Sequence, residues 1–522
     1  MLLERGIKIQ EEVASFIESQ GGRVELFVKK GFRIEATLTQ SQLISVLRLS
    51  QVLYVDFWRE KGEDMSIVRL YGGLDYVART EGFLGDGVRA EVMDSGLRVT
   101  HTDFENLDLI IHGGNSASTS HGTSVFGIVF GNGKTNAGAI GGMPRAEAAI
   151  FAAYTILDVG NYTRYEHTEQ LVDPTGPYRS VFQTNSWGDA QTTSYTTISA
   201  EMDDIIFLND ITILQSQSNM GNRNSRPQAW AKNILSIGGF YHYNTLTRSD
   251  DRWNGGASIG PATDGRQKPD LAHFYDQVMA TSSSSDTAYT EFSGTSAATP
   301  CTAGHVGIFY QMWAQGIFHG GFPIGSDVFD VRAHSSTAKA ILINTANQFD
   351  FNEESTQQIR VHQGWGTVDI GRAYDVAQIH DWRLPLLVDE TDPISAFETI
   401  TYNLIVATSN IPTTLKVTLV YRDPMPSPSS SKQLVNDLDL QLISPSGRIF
   451  WGNIGLNNGP CSTAGAAASD IDNVENIFIC EHDMENGTWK VNVIASEIVE
   501  DGHLETEALD VVFSLVASKG RE

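Results

Sequence analysis

The apolar positions fall into three textures along the chain. Over the first 65 residues helical and strand spacings alternate. Ile9, Val13, Phe16 and Ile17 recur at a helical period, "RVELFV" and "GFRIEATL" alternate like strands, Thr39 and Gln42 form a capping box before "LISVLRL", and "VLYVDFW" closes as a strand. This α-β-β-α-β order predicts a small open sheet that has lost its first strand, followed by an exposed polar linker, "REKGEDMS", at 59–66. From about 70 to 380, short apolar runs such as "VRAEVM", "AEAAIFAAY", "DITILQS" and "ILSIGGF" alternate with helical segments such as "TTISAEMDDIIFLND". Buried strands separated by helices predict a parallel α/β sheet, whose ligands bind beyond the carboxyl ends of the strands. After about 385, "FETITYNLIV", "LKVTLVY", "LDLQLI", "RIFW", "WKVNVIA" and "LDVVFSLVA" are strands broken by turns such as Ser-Pro-Ser-Gly at 444–447, the pattern of an antiparallel β-sandwich. The boundaries that follow are 1–65, 66–382 and 383–522.

A chain of 522 residues exceeds the size of a single core, in keeping with several domains. Its net charge of −27 argues against nucleic acid or an anionic membrane as partner. No run of about 18 apolar residues suggests a membrane helix, and "MLLERGIKIQ" does not read as a signal peptide. Cys301, Cys461 and Cys480 are too few for a disulfide framework and match no metal motif. Cys461 and Cys480 are candidates for one bridge; Cys301 reads as a buried packing thiol, and the scattered histidines, "HGG" at 112 included, suggest no metal site.

Three polar residues stand at predicted element ends in the α/β region. Asp94 closes the strand of "VRAEVMDSG", with Gly96 allowing a sharp exit. His121 opens "HGTSVFGIVFG", where Thr123 or Ser124 is placed to cap helix amides and Gly122 and Gly127 permit close packing. Ser296 opens "SAATPCTAGHVGIFYQMW", with Pro300 expected within the first turn. A serine hydroxyl is a poor nucleophile until an imidazole accepts its proton, and that imidazole needs a carboxylate to hold its tautomer. Taken singly, "DSG" is a turn and "HGT" a helix start; an acid, a base and a hydroxyl in this order are a catalytic constellation.

At these residues the sequence resembles the subtilisin-like serine proteases. "MDSG", "HGTSVFG" and "GTSAATP" look like the family's three catalytic boxes, and "SQSNMGN" like its oxyanion-hole segment, with Asn219 as side-chain donor and the Ser296 amide as the second. "QTNSWG" resembles the segment whose Ser186, Trp187 and Gly188 pair with an extended substrate and wall its primary pocket. "DGRQKPDL", "HQGWGTVDI", "LVNDLDL" and "DNVENIFI" are similar to the oxidatively stable alkaline subtilases that carry a C-terminal β-sandwich, jelly-roll-like in build. The resemblance implies a second substrate strand near "ILDVGN", placing Asp158, Val159 and Gly160 on the cleft, which only Gly160 serves as glycine and which is therefore narrower than usual. Ala297 stands where the family usually has an oxidisable Met, and Ser218 where it has Gly.

What the resemblance implies is a secreted, monomeric serine endopeptidase with no catalytic cofactor, acting on extended polypeptides. The segment 1–65 would be its propeptide, an intramolecular inhibitor removed by self-cleavage in or near 59–70. Asp437 and Asp439 share one strand face, and Asp423, Asp472 and Glu475 lie in loops the sandwich can gather; hard oxygen ligands of this kind suit a structural calcium, and an acidic solvated face would give the same pattern. The rival reading is a catalytically silent binding protein on the same fold, using its β-sandwich to recognise a glycan or a protein.

Overall fold

The computed structural model describes residues 2–3, 7–27, 34–55, 65–318, 322–351, 359–378, 387–406, 414–457 and 459–520. The expected linker at 59–66 falls outside these except for its last two residues, and so does the expected boundary at 382/383. The chain forms two compact units, Met1–Gly62 and Glu63–Glu522.

In the first unit the helix Ile7–Ser19 places Val13 and Ile17 against Ile34 and Val46, at the spacing that keeps one helix face inward. Arg23–Phe27 pairs with Ile34–Thr37. The capping box forms: Thr39 Oγ1 accepts from the Gln42 amide, and Gln42 Oε1 accepts from the Thr39 amide at 2.7 Å. Contrary to expectation the first strand is present, since Leu2–Leu3 pairs antiparallel with Val52–Tyr54. Two residues are too short to leave an alternation that can be read in the sequence.

The second unit is built on seven parallel strands in the order Leu271–Phe274, Leu235–Phe240, Thr212–Ser216, Phe182–Asn185, Arg89–Asp94, Ala148–Ala153, Leu109–Ile111. Their residues are almost all buried, as in sheets covered on both faces. Helices Ser120–Phe130 and Thr295–Ala314 pack against the sheet's core with Val125, Phe126, Val306 and Phe309, and Thr197–Asn209 covers another face with Met202, Ile205 and Ile206.

Beyond residue 386 the described strands pair antiparallel, with one isolated parallel bridge between Gly502 and Val511. Thr414–Tyr421 is flanked by Asp510–Gly520 and Val474–Ile479, while Gly487–Glu497 lies between Thr399–Val406 and Asp437–Ile443. One core joins the two sheets, with Leu415, Val417 and Leu419 from the first and Leu438, Leu440, Val491 and Val493 from the second. The alternate positions Val420, Val474, Phe478 and Val516 belong instead to the same apolar cluster as Ile341 and Phe309 of the α/β part. Thr414–Tyr421 is thus buried on both faces. The buried helix Ser335–Asn344 lies against it, and Asn344 Nδ2 donates to Thr418 Oγ1 at 3.0 Å. A bridge joins Cys461 to Cys480 within this region, while Cys301 is free and buried.

Candidate active site

Asp94 is the last residue of Arg89–Asp94, an inner strand between Phe182–Asn185 and Ala148–Ala153, where its side chain leaves the sheet at the carboxyl edge. Its Oδ1 accepts from His121 Nδ1 at 2.7 Å and from the Ser95 amide at 2.7 Å, while the buried Oδ2 has no partner among the described residues. His121 is the second residue of the helix Ser120–Phe130. That helix comes this close because of Gly122, whose added Cβ would lie 2.3 Å from the carbonyl oxygen of Gly96. Gly96 is itself pressed against the Ser116 carbonyl, so close approach rather than a turn requires it. Thr123 and Ser124 do not cap the helix: Thr123 Oγ1 accepts from the Arg98 amide, and Ser124 Oγ donates to the Thr281 carbonyl. Burial pulls the His121 pKa down, but its hydrogen bond to Asp94 and that residue's charge raise it, and the net shift is upward.

Ser296 is the second residue of the helix Thr295–Ala314, entered through Gly294 at φ 93°, a left-handed conformation that glycine adopts without strain. Pro300 lies deeper than expected, at the sixth helical position, where it takes away the amide that would bond the Ser296 carbonyl. That carbonyl accepts instead from Ser186 Oγ at 3.1 Å, and Ser296 Oγ faces the Ser186 carbonyl at 3.4 Å. The proline therefore ties the serine to the segment expected to hold substrate. No hydrogen bond between Ser296 Oγ and His121 is formed among the described residues; such contacts often tighten only when a substrate is bound.

Asn219 is held beside the same helix start. Its Oδ1 accepts from the Thr295 amide at 2.8 Å and from Thr295 Oγ1 at 3.0 Å, so its Nδ2 is the edge left to donate. Ser218 adopts φ 105°, the conformation a glycine would take freely, and its amide donates to Thr295 Oγ1 while its carbonyl accepts from the Ser258 amide. Ala297 is fully buried among Ile128, Phe240 and Cys301. Burial drives the Cys301 thiol far above its usual pKa, which makes it unreactive.

A cleft of about 700 Å³ opens at Asp94 and His121. Ser186, Trp187, Gly188 and Asp158 line it as expected. Val159 and Gly160 do not: 158–161 is a turn with Asp158, Gly160 and Asn161 all at positive φ, and Val159 is 65% exposed. The second substrate strand is therefore absent at this place. Tyr154, Arg164, Asp189 and Glu201 also line the cleft. Arg164 and Glu201 lie on helices whose starts are legible in the sequence, but nothing there shows which side chains face the cleft.

The five acidic residues of the C-terminal region are not brought together as one ligand set; among the described residues no three of them place oxygens within 4.8 Å of one another. Asp423 is buried against Lys232 and accepts from the Val435 and Asn436 amides. Glu475 accepts from the Leu440 amide at 2.6 Å, Asp472 from the Gln267 amide at 2.9 Å, and Asp439 from Ser496. Burial and repulsion from Asp439 push Asp437 up to about 6. Four of the five thus have protein donors, and the set does not fit one calcium ion.

The residues that do converge include two of the scattered histidines, which in the sequence suggest no metal site. Glu91, His112 and His167 are fully buried, with His112 Nδ1 2.7 Å from Glu91 Oε2 and His167 Nε2 2.8 Å from Glu91 Oε1. The two imidazoles are stacked at 3.8 Å and 19°. Lone pairs in near-parallel planes cannot both aim at one ion, so this arrangement is a hydrogen-bonded cluster, completed by Tyr162 and Gln170, rather than a formed metal centre.

The family model Peptidase_S8, the subtilase family, matches residues 85–366. The Serine protease/ABC transporter B family protein tagA of Dictyostelium discoideum is 27% identical over 265 residues, which take in 47% of this chain. The chain spans 14% of that protein's length. Among solved structures, the prenylagaramide maturation protease PagA is 16% identical, covering 59% of this chain and 98% of that one with a TM-score of 0.45. The PatG macrocyclase in complex with peptide is 11% identical, covering 59% and 96% with a TM-score of 0.44.

Proposed function

The chain belongs to the subtilase family, whose model takes in 85–366 of its 522 residues, and from that premise we propose that it is a serine endopeptidase acting through Asp94, His121 and Ser296. The observation that carries this reading is the Asp94–His121 hydrogen bond at 2.7 Å, at the mouth of a cleft joined to Ser296 through Ser186. An extended polypeptide lies along Ser186–Gly188, the segment that continues past the strand Phe182–Asn185. His121 donates Nδ1–H to Asp94, which leaves Nε2 free to take the Ser296 proton as Oγ attacks the scissile carbonyl. Asn219 Nδ2 and the Ser296 amide, which at the start of its helix has no acceptor among the described residues, donate to the oxyanion. His121 then protonates the leaving amine, and water hydrolyses the acyl-enzyme by the same route.

Met1–Gly62 serves as propeptide. Val68 and Arg69 are buried in the second unit, Arg69 donating to the Gly141 carbonyl at 2.6 Å, so the cut falls before Met65. The Cys461–Cys480 bridge favours an oxidising compartment and supports secretion. Intact masses of the purified wild type and of Ser296→Ala test the reading. The wild type is expected to lose its amino-terminal segment while the variant keeps it. If both stay full length and neither digests reduced, unfolded casein, the reading fails.

A further inference from the structure

Apart from Asp94, which is bonded to His121, five charged side chains line the cleft: Arg164, Arg226, Asp158, Asp189 and Glu201. Among the described residues none of them forms an ion pair within 4.0 Å with another. The two cations are largely used by the protein itself. Arg164 is 7% exposed and donates NH2 to Gln183 Oε1 and Asn185 Oδ1, with its guanidinium 5.4 Å from the centre of the Trp187 ring. Arg226 donates NH1 to the Asp189 carbonyl at 2.7 Å. Of the anions, Asp189 accepts from Gln228 at 2.6 Å, whereas the carboxylates of Glu201 and Asp158 accept no hydrogen bond among the described residues. Glu201 is half-buried, and burial together with Asp158 and Asp189 raises its pKa against the pull of Arg164.

The walls between these charges are apolar and rigid. Trp187 is stacked on Tyr154 at 4.7 Å and donates Nε1–H to Asn185 Oδ1 at 3.2 Å, so its plane is fixed, and Leu157, Ile198 and Met202 line the same space. Arg164 Nε is buried and has no acceptor among the described residues. A long apolar stem with a cationic tip matches this arrangement, because it covers Ile198 and Met202 while adding a positive charge where three carboxylates outnumber two guanidiniums.

We propose that this part of the cleft selects a substrate residue with a basic side chain, lysine or arginine, on the amino side of the scissile bond, with Glu201 and Asp158 holding its cation. The inference rests on the cleft being the protease site. An acidic side chain at this position would face the two unpaired carboxylates and is disfavoured.

Internally quenched peptides carrying lysine, norleucine or glutamate at one position are scanned over the four positions preceding the cut. Norleucine keeps the stem and removes the charge. At one position kcat/KM is expected to favour lysine over norleucine by about tenfold, with glutamate below both. Glu201→Gln is expected to bring the lysine-to-norleucine ratio to about twofold or less. Anisotropy of fluorescein-labelled product peptides, which have no bond left to cut, gives the same comparison as binding to the wild-type protein. If lysine and norleucine are equal at every position, or if the ratio survives both Glu201→Gln and Asp158→Asn, the inference is overturned. If no peptide is cut, the protease reading fails, and the binding comparison still decides whether the subsite prefers a cation.

Discussion

At His121 two influences act on one proton. Burial disfavours the imidazolium, while the Asp94 carboxylate at 2.7 Å stabilises it, and the result lies above the ordinary 6.5. Only the neutral ring can accept the Ser296 proton, so kcat/KM is expected to rise with pH through a value above 6.5. In Asp94→Asn the stabilising charge is lost and burial remains, which moves that limb to lower pH. The tautomer is also no longer held, so kcat falls by a factor on the order of 10⁴. The pH profile of a quenched peptide checks both effects, and a limb that stays in place would show that Asp94 does not act on His121. Two neighbouring residues show how the site is kept rigid. Pro300 frees the Ser296 carbonyl for Ser186, and Ser218 holds a glycine-like φ at the edge of the Asn219 loop.

The helix Met65–Tyr71 is fastened to the α/β body at its last residue. Tyr71 OH donates to Asp251 Oδ2 at 2.7 Å, its ring lies edge-on to Phe274 at 4.8 Å, and Asp251 Oδ1 is buried without a partner among the described residues. Burial raises the Asp251 pKa from 3.8 to about 7, with Asp250 and Asp276 adding to the rise and Tyr71 and Arg248 opposing it. Between those values the folded chain holds a proton that the unfolded chain releases, so stability from this group is present at low pH and is lost as pH rises toward 7. Asp251→Asn keeps the shape and removes the titration. Urea unfolding at pH 5 and pH 8 is expected to show a smaller pH dependence in the variant, and an equal dependence would exclude this carboxyl as its source. Elements and chemistry differed in how well the sequence shows them. Asp94, His121 and Ser296 each sit in a short box of small residues that only a few local geometries require, so the candidate site is legible from neighbours in sequence. The turn at Asp158–Gly160 was not, because a left-handed Asp158 and Asn161 leave no mark on an apolar pattern. Neither was the fate of Asp423, whose partner Lys232 lies far back in the chain. Glu91, His112 and His167 meet only because sheet order brings their segments together.

At the scale of the whole molecule, the C-terminal sheets are either a module hung on the α/β body or part of that body. A recognition module would touch its neighbour through a polar, solvated surface, whereas these sheets, besides their own core, share a second one with the α/β part. Here Val420, Val474, Phe478 and Val516 enter the same core as Phe309 and Ile341, and Ser514 meets Ser336 and Thr337 at 2.8 and 2.7 Å. Lys232 on the α/β side is wholly buried against Asp423 and also donates to the Pro424 carbonyl at 2.8 Å. Removing one member of such a pair leaves a buried charge without a counter-charge, so Asp423→Ala is expected to destabilise the protein by about 3–5 kcal/mol. Lys232→Met combined with Asp423→Leu removes both charges and should recover part of that loss. Because the pair joins the two regions, the loss should appear in a single unfolding transition of residues 63–522 by calorimetry. If the C-terminal sheets instead melt separately, and Asp423→Ala shifts only their transition, they are an independent module, and the reading in which they recognise a partner of their own gains the physical basis it otherwise lacks.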